Sequence, residues 1–363
     1  MRMGETVSEI AFDPPVNAEW IEAPDTFPAP VFVTFHPEIL EYRTAFQVDG
    51  ASPFVTAVHH FADYEDFTKH ESMRKLVRTR YWEAVKRTAV HYERQQWDLW
   101  AMEVEQTLGE SAETSYQGRL KQTFECFDYS LRWFLLERED IWRIVGEQYR
   151  DTMLSHPRQL EDFVEALRTS GRLISLWRQI NGLHDELIST YHIWMPILQL
   201  RYWRHQPSSL RDLMVSDKRF EELKPLYLAA FELFARLSVI GMGVALIRAN
   251  GNTDLPTKKG SMSIWDFEAM DNAAKVPHLS RYGGTQHFSA LMDTKLRNGI
   301  GHNAAHYDVA RDEIVCVRAK GAALQEWRIS YADFCYKMLD LASATYFSEA
   351  FLRAALRQTA GLT

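Results

Sequence analysis

Cysteine is scarce. Cys126, Cys316 and Cys335 are the only three in 363 residues, odd in number and far apart. That excludes a disulfide framework and any Cys-x-x-Cys metal knuckle, and it fits a reducing, cytoplasmic setting. Net positive charge is lacking too: the formal charge is −8. Coating nucleic acid by bulk attraction needs many Lys/Arg–phosphate contacts, so that binding mode is excluded, although a local basic site is not. No Walker A loop, G-x-G-x-x-G, G-x-S-x-G or kinase signature is present, which removes the common nucleotide-using and esterase classes. The first residues, Met-Arg-Met-Gly-Glu-Thr, lead into polar, acidic and proline-containing sequence rather than an apolar secretory segment. The longest apolar run, Leu226–Ile247, contains Glu232 and Arg236. Charges are costly at the centre of a membrane span, and four residues apart on one helical face these two can pair, so a buried core helix is expected and no membrane.

What is present is helix. With 46% hydrophobic and 25% charged residues the composition is that of an ordinary globular protein. Residues 1–60 read as a partly extended N-terminal arm, with a strand-like run at Val31–Phe35. Residues 61–250 read as a helical body. Val77, Tyr81, Val85, Thr88 and Tyr92 recur at helical spacing, as do Phe127, Leu131, Phe134, Ile141, Val145 and Tyr149, then Phe163, Leu167, Ile174 and Trp177. Ser209 and Asp212 resemble a capping box, Pro225 suits the first turn of the apolar helix, and Asn250-Gly251 suits its end. Residues 251–263 read as a linker or a long functional loop. Residues 264–363 form a C-terminal helical module, or one continuous fold with the body. In it, His287–His302 reads as one helix, Glu313–Val317 and Leu324–Ile329 as a β-hairpin, and Ser330 and Asp333 open a last long helix toward Leu356. The fold class is therefore mainly α: a helical bundle with a small β-hairpin near the C-terminus.

One stretch points at chemistry: Arg297-Asn298-Gly299-Ile300-Gly301-His302, followed by Asn303, His306 and Tyr307. If the helix continues, Asn298, His302 and His306 share a face. Glycines 299 and 301 each cost a helix about 1 kcal/mol against alanine, so something other than helix stability favours them. Cleaving RNA without a metal needs a base for the ribose 2′-OH and an acid for the leaving 5′-oxygen, and imidazole, with an ordinary pKa of about 6.5, serves either role. A guanidinium meets two phosphate oxygens at once. On a regular helix Arg297 and His302 diverge by roughly 140°, so either the glycines distort the turn or a partner subunit supplies a second Arg–His pair; the partner is the preferred reading. A metal alternative uses His302 and His306 with Asp308 or His287, but lacks the Glu of a His-Glu-x-x-His site. The plain alternative is an ordinary helix terminus.

The run Leu-Arg-Asn-x-x-x-His resembles the R-x4-6-H motif of the HEPN (higher eukaryote and prokaryote nucleotide-binding) superfamily. The resemblance covers one helix closely and the surrounding bundle loosely; the β-hairpin and the large upstream region lie outside the core pattern. It implies a metal-independent, cofactor-free endoribonuclease, with Arg297, Asn298 and His302 as the active-site trio; Asn303, His306 and Tyr307, which follow the motif, are the expected substrate-binding residues. It further implies RNA as partner, a homodimer with a composite site, and a setting in bacterial defence or toxin-type growth arrest. A non-catalytic nucleotide-binding or scaffold protein is the alternative.

Weaker signals have ordinary readings. Between Lys69 and Arg94 lie eight Lys/Arg and three Glu, with Arg80, Arg87 and Arg94 at intervals of seven. An RNA track is one reading and the solvated face of an amphipathic helix the favoured one. His59-His60 and His184-Asp185-Glu186 read as structural or exposed, and the tryptophans, among them Trp97, Trp100, Trp133, Trp142 and Trp177, as core.

Overall fold

Helix follows the apolar spacing in the computed structural model, which describes residues 40–42, 64–203, 208–215, 219–257, 260–320 and 323–360. The arm, its strand-like run and His59-His60 fall almost wholly outside these. Helix α1 (Tyr64–Leu76) passes through a π-helical turn at Val77–Tyr81 into α2 (Trp82–Glu93). Then come α3 (Trp97–Leu108), α4 (Tyr116–Leu131), α5 (Glu139–Ser155), α6 (Pro157–Thr169), α7 (Arg172–Ser189) and α8 (Tyr191–Gln199). Ser115 caps α4, accepting from the Gly118 amide at 3.0 Å, and Pro157 opens α6, where its missing N–H costs nothing. The expected stripes are buried except for Tyr81, which is half-buried, and Ile174, which is exposed. Arg80, Arg87 and Arg94 lie on the solvent face, with Arg87 paired to Glu103. Trp142, expected in the core, is half exposed.

Helix α9 (Phe220–Asn250) is the axis of the fold. At 1.5 Å per residue it runs about 46 Å. It packs against α5 and α7 and is buried almost all round from Leu233 to Ile247. Its apolar window is 89% buried within the protein, so its length and hydropathy serve the core. The helix begins earlier than expected, which puts Pro225 in its second turn. The carbonyl that Pro225 leaves without an amide partner belongs to Glu221, an exposed residue, so water can serve it. Gly251, at φ 71°, takes the left-handed conformation that ends the helix. Ser209 caps a 3-10 turn (Leu210–Asp212) through the Arg211 amide rather than opening an α-helix. Strands β1 (Leu40–Tyr42) and β2 (Leu213–Val215) pair antiparallel.

The expected linker is an antiparallel ribbon, β3 (Leu255–Thr257) with β4 (Gly260–Met262). After it come α10 (Ile264–Ala269), α11 (Asn272–Leu279), α12 (Gln286–Leu291) and α13 (Thr294–Gly301). His287–His302 is thus two helices. Asp293 interrupts them, because its side chain accepts from the Leu296 amide at 3.1 Å and so starts a new helix. The hairpin is present as β6 (Glu313–Lys320) and β7 (Ala323–Ser330), and a third strand, β5 (Ala305–Asp308), pairs antiparallel with β6. Ser330 and Asp333 cap α14 (Tyr331–Ser348) as expected, but the helix stops at Glu349 and α15 (Ala350–Ala360) follows. Helix α14 lies along α9, and one hydrophobic core runs from Val77 to Ala355 without a break at the ribbon.

A charged cluster lies where α14 meets α15, with Arg353 and Glu349 buried and Asp128 partly exposed. Arg353 donates to Glu349 Oε1 at 2.9 Å and to Asp128 Oδ1 at 2.5 Å, and Tyr346 donates to the same Asp128 oxygen. His184 is buried with Nε2 3.4 Å from Glu349 Oε2. Burial, with Arg353 adding to it, pulls the His184 pKa down to about 3, so this imidazole is neutral and structural. Asp185 beside it accepts from Trp82 Nε1 at 2.7 Å. His287, between α9 and α14, is likewise held neutral: burial and Arg138 lower its pKa to about 4, against a raising influence from Asp140. Both histidines have folded pKa values below the ordinary 6.5, so the unfolded chain binds protons first on acidification. Stability is full above about pH 6.5 and falls as pH drops toward 4. Each histidine contributes a slope of up to about 1.4 kcal/mol per pH unit. Urea unfolding at pH 7, 6 and 5 checks this, and His287→Gln should flatten the slope by about one proton. An unchanged slope would mean that His287 is not the group being protonated.

Candidate functional site

Helix α13 carries the Arg-Asn-x-x-x-His run on a surface it does not bury. Leu296 and Ile300 face the core, and α13 rests on α9 and on β6. Eight residues are too few for an isolated helix, so this packing is what holds the motif in shape. Gly299 is explained by contact: a Cβ there would lie 2.8 Å from Cys316 Sγ on β6. Gly301 has only ordinary contacts around such a Cβ, at 3.7 Å or more. Gly299→Ala is therefore expected to cost about 1–3 kcal/mol through overpacking, and Gly301→Ala to stabilise by up to about 1 kcal/mol. Thermal unfolding of the two variants separates them, and a Gly299→Ala melting point at or above wild type would contradict the close-packing account.

The helix ends in a Schellman turn: Ala304 N bonds Gly299 O at 2.9 Å and Asn303 N bonds Ile300 O at 3.1 Å. Asn303 holds φ 54°, the left-handed conformation asparagine tolerates best after glycine. Its visible role is to stop the helix. His302 is the C-cap, exposed, just past the last helical residue. His306 then lies on strand β5, so it does not share a helical face with Asn298 and His302; the chain has already turned.

Arg297 reaches to α9. Its Nε and Nη2 both donate to Glu232 Oε1, at 2.9 and 2.6 Å, and Nη1 donates to Asn298 Oδ1 at 3.2 Å. Asn272 Nδ2 donates to the other Glu232 oxygen at 3.3 Å, and Lys275 Nζ to Asn272 Oδ1 at 3.4 Å. Lys275 is nearly buried, and that burial pulls its pKa below the usual lysine range. Glu232 thus pairs across the fold and not with Arg236, whose Nη1 donates to Gln179 instead.

Arg297, Asn298 and His302 line one cleft of about 730 Å³ together with Glu232, Asn272 and Lys275. Arg297 and His302 thus border the same cleft within a single chain, with His302 at the C-cap just past the last helical residue. Asn298 and His302 also line a second cleft of about 940 Å³, between α13 and the hairpin. Asn303, His306 and Tyr307 line neither. Tyr307 donates to Asp312 Oδ1 at 2.6 Å and packs on the Tyr331 ring, tying down the β5–β6 turn. His287 and Asp308 are likewise apart from His302: one is buried beside Ser348 and the other is paired to Arg328. Among the described residues no three His, Cys, Asp or Glu side chains converge as a metal shell. Burial raises the Cys316 thiol to about 11, which keeps it unreactive.

Glu232, Asn272 and Lys275 are the site residues that sequence reasoning missed. Chemically the arrangement offers an exposed imidazole on the same cleft as a guanidinium whose charge is already balanced by a carboxylate. A further cleft, of about 1200 Å³, lies elsewhere, against Tyr129, Trp133 and Trp142. Comparison of the chain with family models, with curated proteins and with solved structures finds no match.

Proposed function

We propose that this chain is a HEPN-like, metal-independent endoribonuclease that cleaves RNA by attack of the ribose 2′-OH on the adjacent phosphate. The observation that carries the reading is the meeting of Arg297, Asn298 and His302 on one cleft. His302, exposed at the helix end, moves the proton as general acid or base. Arg297 balances the charge that builds on the phosphate, and Asn298, bonded to the Arg297 guanidinium, positions it and the substrate. A homodimer, in which two such clefts face each other, and a role in bacterial defence or toxin-type arrest belong to the same proposal and rest on the motif's resemblance.

A second reading is favoured by one observation: two of the three Arg297 nitrogens are already committed to Glu232. In that reading the motif closes a nucleotide-binding or dimer surface without catalysis. The deciding experiment incubates the purified full chain with a short labelled RNA in EDTA, with light scattering to give the oligomeric state. Products ending in 2′,3′-cyclic phosphate are expected. Intact RNA that is nonetheless bound would establish the second reading.

A further inference from the structure

We propose that the cleft between α13 and the β6–β7 hairpin is a nucleobase subsite, in which Trp327 stacks on an unpaired base of single-stranded RNA next to the bond cleaved at His302. The position of that bond rests on the nuclease reading; the subsite itself does not. Register carries the first step. Cys316 on β6 is directly opposite Trp327 on β7, so both side chains lie on one face of the sheet. That face is the one pressed onto α13, because Cys316 Sγ sits against Gly299. Trp327 is one strand further out, partly packed on the core, and borders the cleft beside the helix. Among the described residues its indole makes no ring–ring or cation–π contact, so its stacking capacity is unspent. Gln325, two residues earlier on the same face, is exposed at the cleft and has the amide that reads base edges.

The rest of the lining suits a base in the same way. Ala304, Val317 and Cys316 are apolar, Lys295, Asn298 and His302 supply polar groups, and the Glu326 carboxylate, also in the lining, has its charge balanced by Arg328 at 2.9 Å. A volume of about 940 Å³ is that of a small-molecule site, ample for a nucleoside. Asn298 and His302 are shared with the Arg297 cleft, so one strand passing over these two residues occupies both. That continuity favours a polymer over a lone nucleotide. Bases within an A-form duplex are stacked on one another and cannot present a face to a side chain, so the strand is single.

The test uses the full chain and 2′-O-methyl octanucleotides of each base, which bind but cannot be cleaved through a 2′-OH. Anisotropy is read for wild type, Trp327→Ala, Trp327→Phe and Gln325→Ala, with thermal melts to certify folding. Trp327→Ala should weaken binding about tenfold, Trp327→Phe should restore most of it, and Gln325→Ala should narrow the spread among the four bases. With cleavable RNA, the Trp327→Ala loss should appear mainly in KM. Wild-type affinity and base preference in a folded Trp327→Ala or Gln325→Ala protein would overturn the subsite, as would no binding of any oligonucleotide. Cleavage unchanged by Trp327→Ala would sink the subsite and leave the nuclease standing. Trp327-dependent binding without cleavage would do the reverse.

Discussion

The His302→Ala protein is expected to cleave RNA roughly 10²–10⁴-fold more slowly than wild type, the usual contribution of a positioned acid or base. Its folding should be unaffected. The imidazole is exposed at the end of α13, and what His302 gives the helix is a backbone amide bonded to Asn298 O at 3.1 Å, which alanine keeps. Unfolding free energy should therefore stay within about 0.5 kcal/mol of wild type. Single-turnover rates in EDTA, paired with urea unfolding, check both halves. Arg297→Lys is the companion variant: it retains the charge and loses the fork that meets Glu232 and Asn298 together, so it should also be slow. Undiminished cleavage by His302→Ala would place the chemistry somewhere other than this cleft.

Arg353→Ala should lose about 3–5 kcal/mol of stability, the penalty for leaving a buried charge without its partner. Glu349 is fully buried, and burial raises its carboxyl above the ordinary range even with Arg353 bonded to it. Without the guanidinium the carboxylate has no compensating charge, and Tyr346 alone remains on Asp128. Since the folded pKa of Glu349 is raised, the stability tied to its protonated form is complete below the ordinary glutamate range and lost as pH rises through the folded value. The Arg353→Ala deficit should accordingly be largest at neutral pH and shrink on acidification. Replacing both residues, as Arg353→Met with Glu349→Leu, should recover much of the loss. If the double variant is as unstable as the two single deficits added together, the pair is not energetically coupled.

The fold was legible where side chains repeat at helical spacing, because burial of one stripe is what makes α2, α4 and α5 helices. The hairpin was legible because Trp327 and Ile329 alternate with Arg328. Features decided by one local hydrogen bond were not. Asp293 breaks a continuous apolar pattern by capping α13, and Asn303 turns the chain so that His306 leaves the helix. The four residues of β5 are too few to alternate visibly. At the site, Arg297, Asn298 and His302 were legible as a motif, and their common cleft was not, since regular helical geometry sets them apart. Glu232 was read by its neighbour four residues on, Arg236; the observed partner is sixty-five residues away, a distance only the tertiary fold closes. Lys275 looks like any surface lysine in sequence, and only the packing around α11 buries it.

If RNA binds as proposed, the Glu232–Arg297 pair makes the motif an ion exchanger. A phosphate arriving at Arg297 meets a guanidinium that already holds a carboxylate counter-ion, and binding there swaps one anion for another. Such an exchange displaces a bound protein group rather than neutralising a bare cation. Its share of the dependence of affinity on salt should be shallower than the usual slope of nearly one per phosphate contact. Glu232→Gln removes the resident anion, and the steeper salt response of that variant would measure how much of the cleft's grip the exchange holds back.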